Sequence, residues 1–256
     1  MKNITSFSRQ EITEGIQKAR KKQPEGMTDA RLLFAPKIIN EDNFERACTV
    51  YSQVDLRACE TVVVIESHEE TLDKKLPMAS NAYFETPLGT VPVNDFMRNE
   101  FCDEDDDFYI HDEAFGKDIS LFQQLMFLQS LSGDFSAVSI QVADDNPDIV
   151  RELAYVLEEV LASRSALLVF CCELENHYRD EFQKVTELIE RQNHSGLLNY
   201  LNSGASNIRG TTAFIAGVIV ASKWELDLTF LESEVEQYRG SLLTAYAGRC
   251  HAVFNG

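Results

Sequence analysis

"ETPLGTVPVN", residues 85–94, is the stretch that most narrows the fold of this sequence. Its two prolines, one glycine and alternating small and β-branched residues predict a strand, a tight turn and a second strand. The prolines and Gly89 fix backbone angles and end strand pairing. We therefore interpret the segment as scaffold that positions a neighbouring cleft.

Apolar runs on both sides of this segment alternate with helical patterns. "TVVVIES" (61–67), "FSAVSIQVA" (135–143) and "SALLVFCC" (165–172) predict strands that are covered on both faces. The helical patterns between them predict right-handed crossovers, and two closing stretches, 226–233 and 242–254, predict an antiparallel hairpin at a sheet edge. We expect an α/β fold, a single-domain sandwich whose central, mostly parallel sheet is flanked by helices.

The N-terminal part of the sequence predicts a helix that precedes this domain. Ser8 and Glu11 have the spacing of a capping box, and apolar residues follow at helical intervals, which predicts a helix over residues 8–23. "RLLFAP" (31–36) then predicts the first strand. We assign residues 1–29 to a helical lead-in and residues 30–256 to the α/β domain.

Composition and charge exclude several classes of function. The chain has 256 residues, 44% of them apolar, which suits one large core. With 42 acidic and 23 basic residues the net charge is −19, so the chain repels nucleic acid and anionic membrane surfaces, and neither is expected as a partner. No apolar run could span a bilayer and the N-terminus lacks the apolar core of a signal peptide, which predicts a cytoplasmic protein.

Cysteines and the acidic run offer little chemistry. The six cysteines lack C-x-x-C spacing, and we interpret them as reduced packing residues rather than zinc ligands. "DEDDD" (103–107) lacks the glycine and distal glutamate of a calcium loop, so we expect a solvated loop there. The terminal strand offers an edge that could pair with a second copy, so a homo-oligomer stays open.

Several blocks of sequence occur in the order and spacing of a known family. They run from about residue 30 to the end and read "LLFAP", "VVVIESH", "ETPLGTVPVN", "SLFQQLMFLQ", "LLVFCCELENHY", "GTTAFIAGVIVA" and "AYAGRCHAVF". In these blocks the sequence resembles the Memo family, also called AmmeMemoRadiSam system protein B. The resemblance implies the fold of the class III extradiol dioxygenases, which hold a non-haem iron between two histidines and a glutamate.

The cleft motifs of that family are altered in this sequence. Lys37 stands where Pro-His-Ala-Gly-Tyr has its histidine, and an ammonium has no lone pair for a metal. Ile119 and Phe122 stand at the histidine and the glutamate of Glu-His-Ser-Leu-Glu. In the last motif, Cys-Gly-x-Gly-Pro, Asn207 replaces the cysteine and Gly210 persists. The inherited ligand set is therefore depleted.

Three ligand-type residues survive at motif positions. His68 follows the second strand one position earlier than the family histidine, and "CCELENHY" supplies Glu173 and His177. Two histidines and one carboxylate would suit ferrous iron. "NSGASNIRGTT" (202–212) opens a helix and carries Arg209, so it could contribute to an anion site.

Two hypotheses follow from these residues. The first is a non-catalytic, Memo-like pseudoenzyme without a cofactor, which binds a small molecule, a peptide or a protein partner in a degenerate dioxygenase-type cleft. The second is a metal-dependent enzyme, redox or hydrolytic, with Fe²⁺ held by His68, Glu173 and His177. The altered motif positions favour the first. The cleft candidates common to both are Lys37, His68, Glu173, His177, Asn207 and Arg209.

Overall fold

The structure is a computed structural model that describes residues 7–22, 30–116, 120–131, 134–175, 177–230 and 246–250, with the backbone alone for residues 229–230 and 246–250. The α-helices within these ranges are α1 Arg9–Arg20, α2 Phe44–Tyr51, α3 Asp95–Glu104, α4 Leu121–Leu131, α5 Pro147–Leu161, α6 Arg179–Glu190, α7 His194–Leu201 and α8 Thr211–Lys223. The strands are β1 Ala30–Ala35, β2 Thr61–Ser67, β3 Leu76–Met78, β4 Tyr83–Thr86, β5 Gly89–Pro92, β6 Phe108–Ile110, β7 Ser136–Val142, β8 Ala166–Cys171, β9 Leu226–Phe230 and β10 Tyr246–Cys250.

The described strands form one large mixed sheet in the order β6-β3-β7-β2-β8-β1-β10-β9. Its central four strands, β7, β2, β8 and β1, are parallel to one another. At one side β10 runs antiparallel to β1 and to β9, which is the predicted edge hairpin. The parts of those two predicted strands in residues 231–245 and 251–254 lie outside the described residues. The predicted α/β fold with a mostly parallel centre is confirmed.

Helices cover both faces of the sheet, and the second strand shows why. Along β2, Val62 and Val64 belong to the core layer beneath α1, α2 and α4, whereas Val63 and Ile65 belong to the layer beneath α5 and α8. All four side chains are fully buried. A strand buried on both faces needs a continuous β-branched run rather than an alternating one, and "TVVVIES" supplies it.

The predicted N-terminal helix is α1, and its capping box forms as expected. The Ser8 hydroxyl accepts from the backbone N–H of Glu11, and the Glu11 carboxylate accepts from the backbone N–H of Ser8. Ile12 and Ile16 are buried in the core layer that α1 shares with α2 and α4. Among the described residues, no helix is long and apolar enough to cross a lipid bilayer.

The segment "ETPLGTVPVN" folds as the predicted strand, turn and strand. β4 and β5 form a separate two-stranded sheet in which Thr86 pairs with Gly89. Gly89 has φ of +122°, a conformation that favours glycine. Beyond β5, Val93 pairs with Ala137 at the start of β7, and the Asn94 side chain caps α3. These contacts tie the hairpin to the large sheet.

Candidate functional site

Charged side chains gather where the parallel strands end, which is where ligands bind in open α/β sheets. Lys37 follows β1, Glu69 follows β2 and Glu173 follows β8. Arg209 joins them from the loop before α8, because its backbone exchanges two hydrogen bonds with Glu173, at 2.9 and 2.8 Å. We call these four residues the charged cleft.

The four charges of this cleft form a continuous chain of ion pairs. Lys37 Nζ lies 3.4 Å from Glu69 Oε1, and the Arg209 guanidinium lies 3.9 Å from the same oxygen. The other side of the guanidinium bonds Glu173 at 2.8 Å. The Lys37 side chain is only 7% exposed, whereas that of Glu69 is 61% exposed. A buried cation therefore faces a loosely held, exposed carboxylate.

Two glutamines of α4 hold the loop that carries Lys37. The Gln123 amide accepts from the backbone N–H of Ile39 at 2.9 Å and donates to its carbonyl at 2.6 Å. The Gln124 amide donates to the carbonyl of Pro36 at 2.8 Å. Both glutamines are buried, so these bonds fix the loop without competition from water. The pattern "FQQL" therefore explains how the ammonium of Lys37 is positioned.

A second polar group lies in the core near the cleft. Glu66, at the end of β2, is fully buried, and its carboxylate accepts from the N–H and hydroxyl of Ser120 and from the Gln141 amide. Burial, together with the Glu66 charge, raises the pKa of the neighbouring Cys171 thiol well above its ordinary value. Cys171 is therefore a neutral packing residue and not a nucleophile, as the sequence predicted.

Burial and nearby cations have opposite effects on the pKa of Glu173. Burial raises the pKa of its carboxyl, while Arg209, the N–H of Ile38 and Lys37 oppose that rise. The bond to Arg209 stabilises the ionised form, because a charge removed from water needs a close partner. Glu173 consequently fixes the guanidinium and leaves its other edge turned toward Glu69.

His177 and Asn207 belong to a neighbouring pocket. Both line a cavity of about 390 Å³ together with Tyr178, Glu181 and other polar residues. The exposed His177 ring lies 3.3 Å from the Glu175 carboxylate. Asn207 donates from its backbone and its amide to the buried Glu181 carboxylate. These two candidates therefore lie together, but in a cavity whose lining does not include Lys37, Glu173 or Arg209.

Comparison with known proteins agrees with the fold and the motifs. The family model described as "Memo-like protein" matches residues 6–228 of the chain. This chain belongs to the Memo-like family. A MEMO1 family protein of Thermotoga neapolitana is 32% identical over 153 residues, which cover 55% of this chain and 53% of that protein. A MEMO1 family protein of Aquifex aeolicus is 26% identical over 151 residues, 56% of this chain and 53% of that protein.

More distant relatives match a similar share. A MEMO1 family protein of Nitrosopumilus maritimus (strain SCM1) is 23% identical over 137 residues, 53% of this chain and 50% of that protein. The chain spans about half the length of the curated relatives that it matches. These similarities establish the family and carry no statement on activity or partner.

The described side chains of this Memo-like protein, as placed, do not fit the two-histidine, one-carboxylate set of a ferrous site. Within the described ranges, the group of three ligand-type residues whose ligand atoms all lie within 4.8 Å of one another is Asp105, Asp107 and Glu152. His68, Glu173 and His177 are not such a group. The Nδ1 atom of His68 lies 2.7 Å from the carbonyl oxygen of Glu70.

Of the two altered residues of the third motif, Ile119 and Phe122, the structure describes only one. Ile119 lies outside the described residues. Phe122 is described, and its ring is 38% exposed at the start of α4. It lines a cavity beside the β4 strand whose lining includes Asn81 and Glu85 but no residue of the charged cleft.

Sequence reasoning missed Glu69, which makes two of the contacts in the charged cleft. The signal was present, because His68 falls one position before the family histidine and the next residue is Glu69. Taken strictly, the motif register assigns the cleft position to Glu69. In this Memo-like protein a carboxylate therefore stands after β2 and an ammonium after β1.

Proposed function

We propose that this Memo-like protein is a non-catalytic binding protein, a pseudoenzyme, whose charged cleft binds the carboxylate of a small molecule or peptide. The observation that carries the proposal is the nearly buried ammonium of Lys37, which lies 3.4 Å from an exposed glutamate. A buried cation is costly unless it has a partner, and this partner is loosely held.

Glu69 acts in this proposal as an internal stand-in for the ligand. Strong charge-assisted bonds measure about 2.7–2.9 Å, and the bond from Arg209 to Glu173 is of this kind. The contacts of Glu69 with Lys37 and Arg209, at 3.4 and 3.9 Å, are longer. A free carboxylate can displace the exposed Glu69 side chain and accept from both cations, while Glu173 keeps the guanidinium in place.

The same residues argue against catalysis in this cleft. The Cys171 thiol is neutral because burial raises its pKa, and the Lys37 ammonium is paired rather than free to act as a base. The remaining groups of the charged cleft are two carboxylates and a guanidinium, which together with the Lys37 ammonium neutralise one another. Such a set can hold a charged ligand but provides no nucleophile beside a base.

The test is a titration with N-acetylglycine, which carries a carboxylate, and with N-acetylglycinamide, its neutral counterpart, followed by NMR chemical shifts. We expect saturable binding of the acid alone, weakened at least about tenfold in Lys37→Met and in Arg209→Gln. Glu69→Gln should bind the acid several-fold more tightly, because the internal competitor has lost its charge.

Lys74→Met is the matched control, since the Lys74 ammonium lies over the Tyr109 ring and is not one of the four residues of the charged cleft. Its affinity for N-acetylglycine should equal that of the wild type. Equal binding of the neutral amide, or unchanged affinity in both cleft variants, would refute the carboxylate site. Thermal unfolding of each variant checks that the loss is not one of folding.

A further inference from the structure

A second cavity, of about 570 Å³, lies between the start of the β4–β5 hairpin and the start of α4. Aromatic side chains dominate its wall: Tyr83, Phe84, Phe115 and Phe122. We call it the aromatic pocket. Its size is that of pockets that take small organic ligands. None of its lining residues belongs to the charged cleft.

The rings of the aromatic pocket differ from the paired rings of the protein, such as Phe101 and Phe108, whose centroids lie 5.4 Å apart. Phe84 is buried in the core layer, whereas Tyr83 and Phe122 are exposed. No ring-to-ring contact joins the four rings of the pocket in the part of the chain that the structure describes. Tyr83 is 51% and Phe122 38% exposed, although exposing large apolar rings to water is unfavourable. Their faces are available to a ligand.

The polar groups of this pocket select the charge of that ligand. Glu85 and Asn81 are the polar side chains of the lining, which also includes Ala79, Ala82 and Leu121, and its described residues include no lysine or arginine. Arg98 approaches from behind, but its guanidinium donates to the carbonyls of Ala79 and Asn81 and pairs with Asp95 at 2.8 Å. A carboxylate beside several aromatic faces is complementary to a cation with an apolar surface.

We propose that the aromatic pocket binds a small quaternary ammonium compound. The negative faces of the rings attract such a cation, and its methyl groups bury apolar surface without needing hydrogen bonds. Phe122 is central to this proposal, because a phenylalanine at the motif glutamate turns a polar position into a ring face.

Choline and its neutral carbon isostere, 3,3-dimethyl-1-butanol, provide a direct test by isothermal titration calorimetry on the full chain. The two probes have the same shape and differ in charge. We expect saturable binding of choline and at least about tenfold weaker binding of the isostere. Phe122→Leu and Tyr83→Leu should each weaken choline severalfold, since leucine keeps apolar contact but has no π face.

Phe96→Leu is the matched control, because Phe96 is an exposed ring on α3 that does not line the pocket. It should leave choline binding unchanged. Glu85→Gln should weaken choline without affecting the isostere. Equal affinity for choline and the isostere, unchanged binding in both ring variants, or no saturable choline binding would overturn the proposal. The residues replaced are exposed, and thermal unfolding verifies that each variant is folded.

Discussion

Lys37 shows how one side chain at the end of a strand changes what a cleft can hold. An ammonium donates three hydrogen bonds and offers no lone pair, so it repels a cation and attracts an anion. Burial of its aliphatic part and two glutamines on α4 give the group a fixed position. The loop after β1 therefore presents a group that faces anions rather than cations.

Glu152 is the second residue whose surroundings decide its charge. A hydrogen bond with Asp105, followed by burial and the negative charges of Asp105 and Asp107, raises the pKa of Glu152 to about 7, with Lys75 opposing. Its ordinary value is 4.5. Because the folded value is higher, the stability that Glu152 contributes is fully present below pH 4.5 and is lost as pH rises through about 7.

Glu152→Gln should therefore be more stable than the wild type at pH 8, since glutamine keeps a neutral, hydrogen-bonding group beside Asp105. Solvent screening limits the gain to about 1 kcal/mol. The gain should vanish as the pH falls below 4.5, where Glu152 becomes protonated in the unfolded state as well as in the folded state. Urea unfolding across this pH range measures it. Glu159→Gln, two turns along α5, should show no such trend, and a gain independent of pH would contradict the prediction.

The sequence predicts the cleft residues that stand at fixed motif positions and misses those that tertiary contacts select. Lys37, Glu173 and Arg209 come together because the ends of neighbouring parallel strands share one edge. His68 and Glu69 are adjacent in sequence, and only the turn after β2 decides which one meets Lys37. No local pattern shows that Asn207 bonds Glu181, because that contact joins the loop before α8 to the first turn of α6.

At the scale of elements, α8 packs closely against the sheet at Gly217. A methyl group at Gly217 would lie 2.5 Å from the Phe34 ring and 3.0 Å from the Phe170 ring. Both rings are fully buried and in contact with other core residues. The glycine is thus required by the distance between helix and sheet rather than by a turn.

Gly217→Ala should destabilise the protein by about 1–3 kcal/mol through overpacking, although alanine favours a helix by about 1 kcal/mol over glycine. Overpacking lowers the free energy of unfolding and helix propensity raises it, so urea unfolding of Gly217→Ala shows which effect is larger. In a Phe34→Leu background the cost of Gly217→Ala should shrink, because a smaller side chain leaves room for the methyl group. A stabilised Gly217→Ala variant would show that α8 packs further from the sheet.

Long helices and strands are predictable from the apolar pattern of this sequence, whereas strands of three residues are not. β2, β7 and β8 come from continuous apolar runs, and α5 from a strong amphipathic pattern. The sequence pattern did not predict β3 or β6, because three residues are too few to show a period and β3 contains Pro77. α3 was also missed, although Asn94 is a favourable N-cap for it.

At the scale of the whole molecule, this acidic chain places two of its 23 basic residues, Lys37 and Arg209, in the proposed carboxylate site. With a net charge of −19, the protein attracts cations in general, so an anion needs a local site such as that of Lys37 and Arg209. The aromatic pocket uses the opposite polarity. The molecule would thus present two independent sites that select ligands of opposite charge.

The metal content of the purified protein distinguishes the binding proposal from the metalloenzyme hypothesis. We expect iron and zinc far below one ion per chain in protein purified without chelator, and the same content in His177→Ala. His177 is 63% exposed beside Glu175, His68 bonds its own loop, and Lys37 repels a cation at the family position. Asp107→Asn is the control that identifies ions held by the Asp105, Asp107 and Glu152 group. A full iron or zinc equivalent that disappears in His177→Ala, but persists in Asp107→Asn, would establish the metalloenzyme hypothesis against the binding proposal.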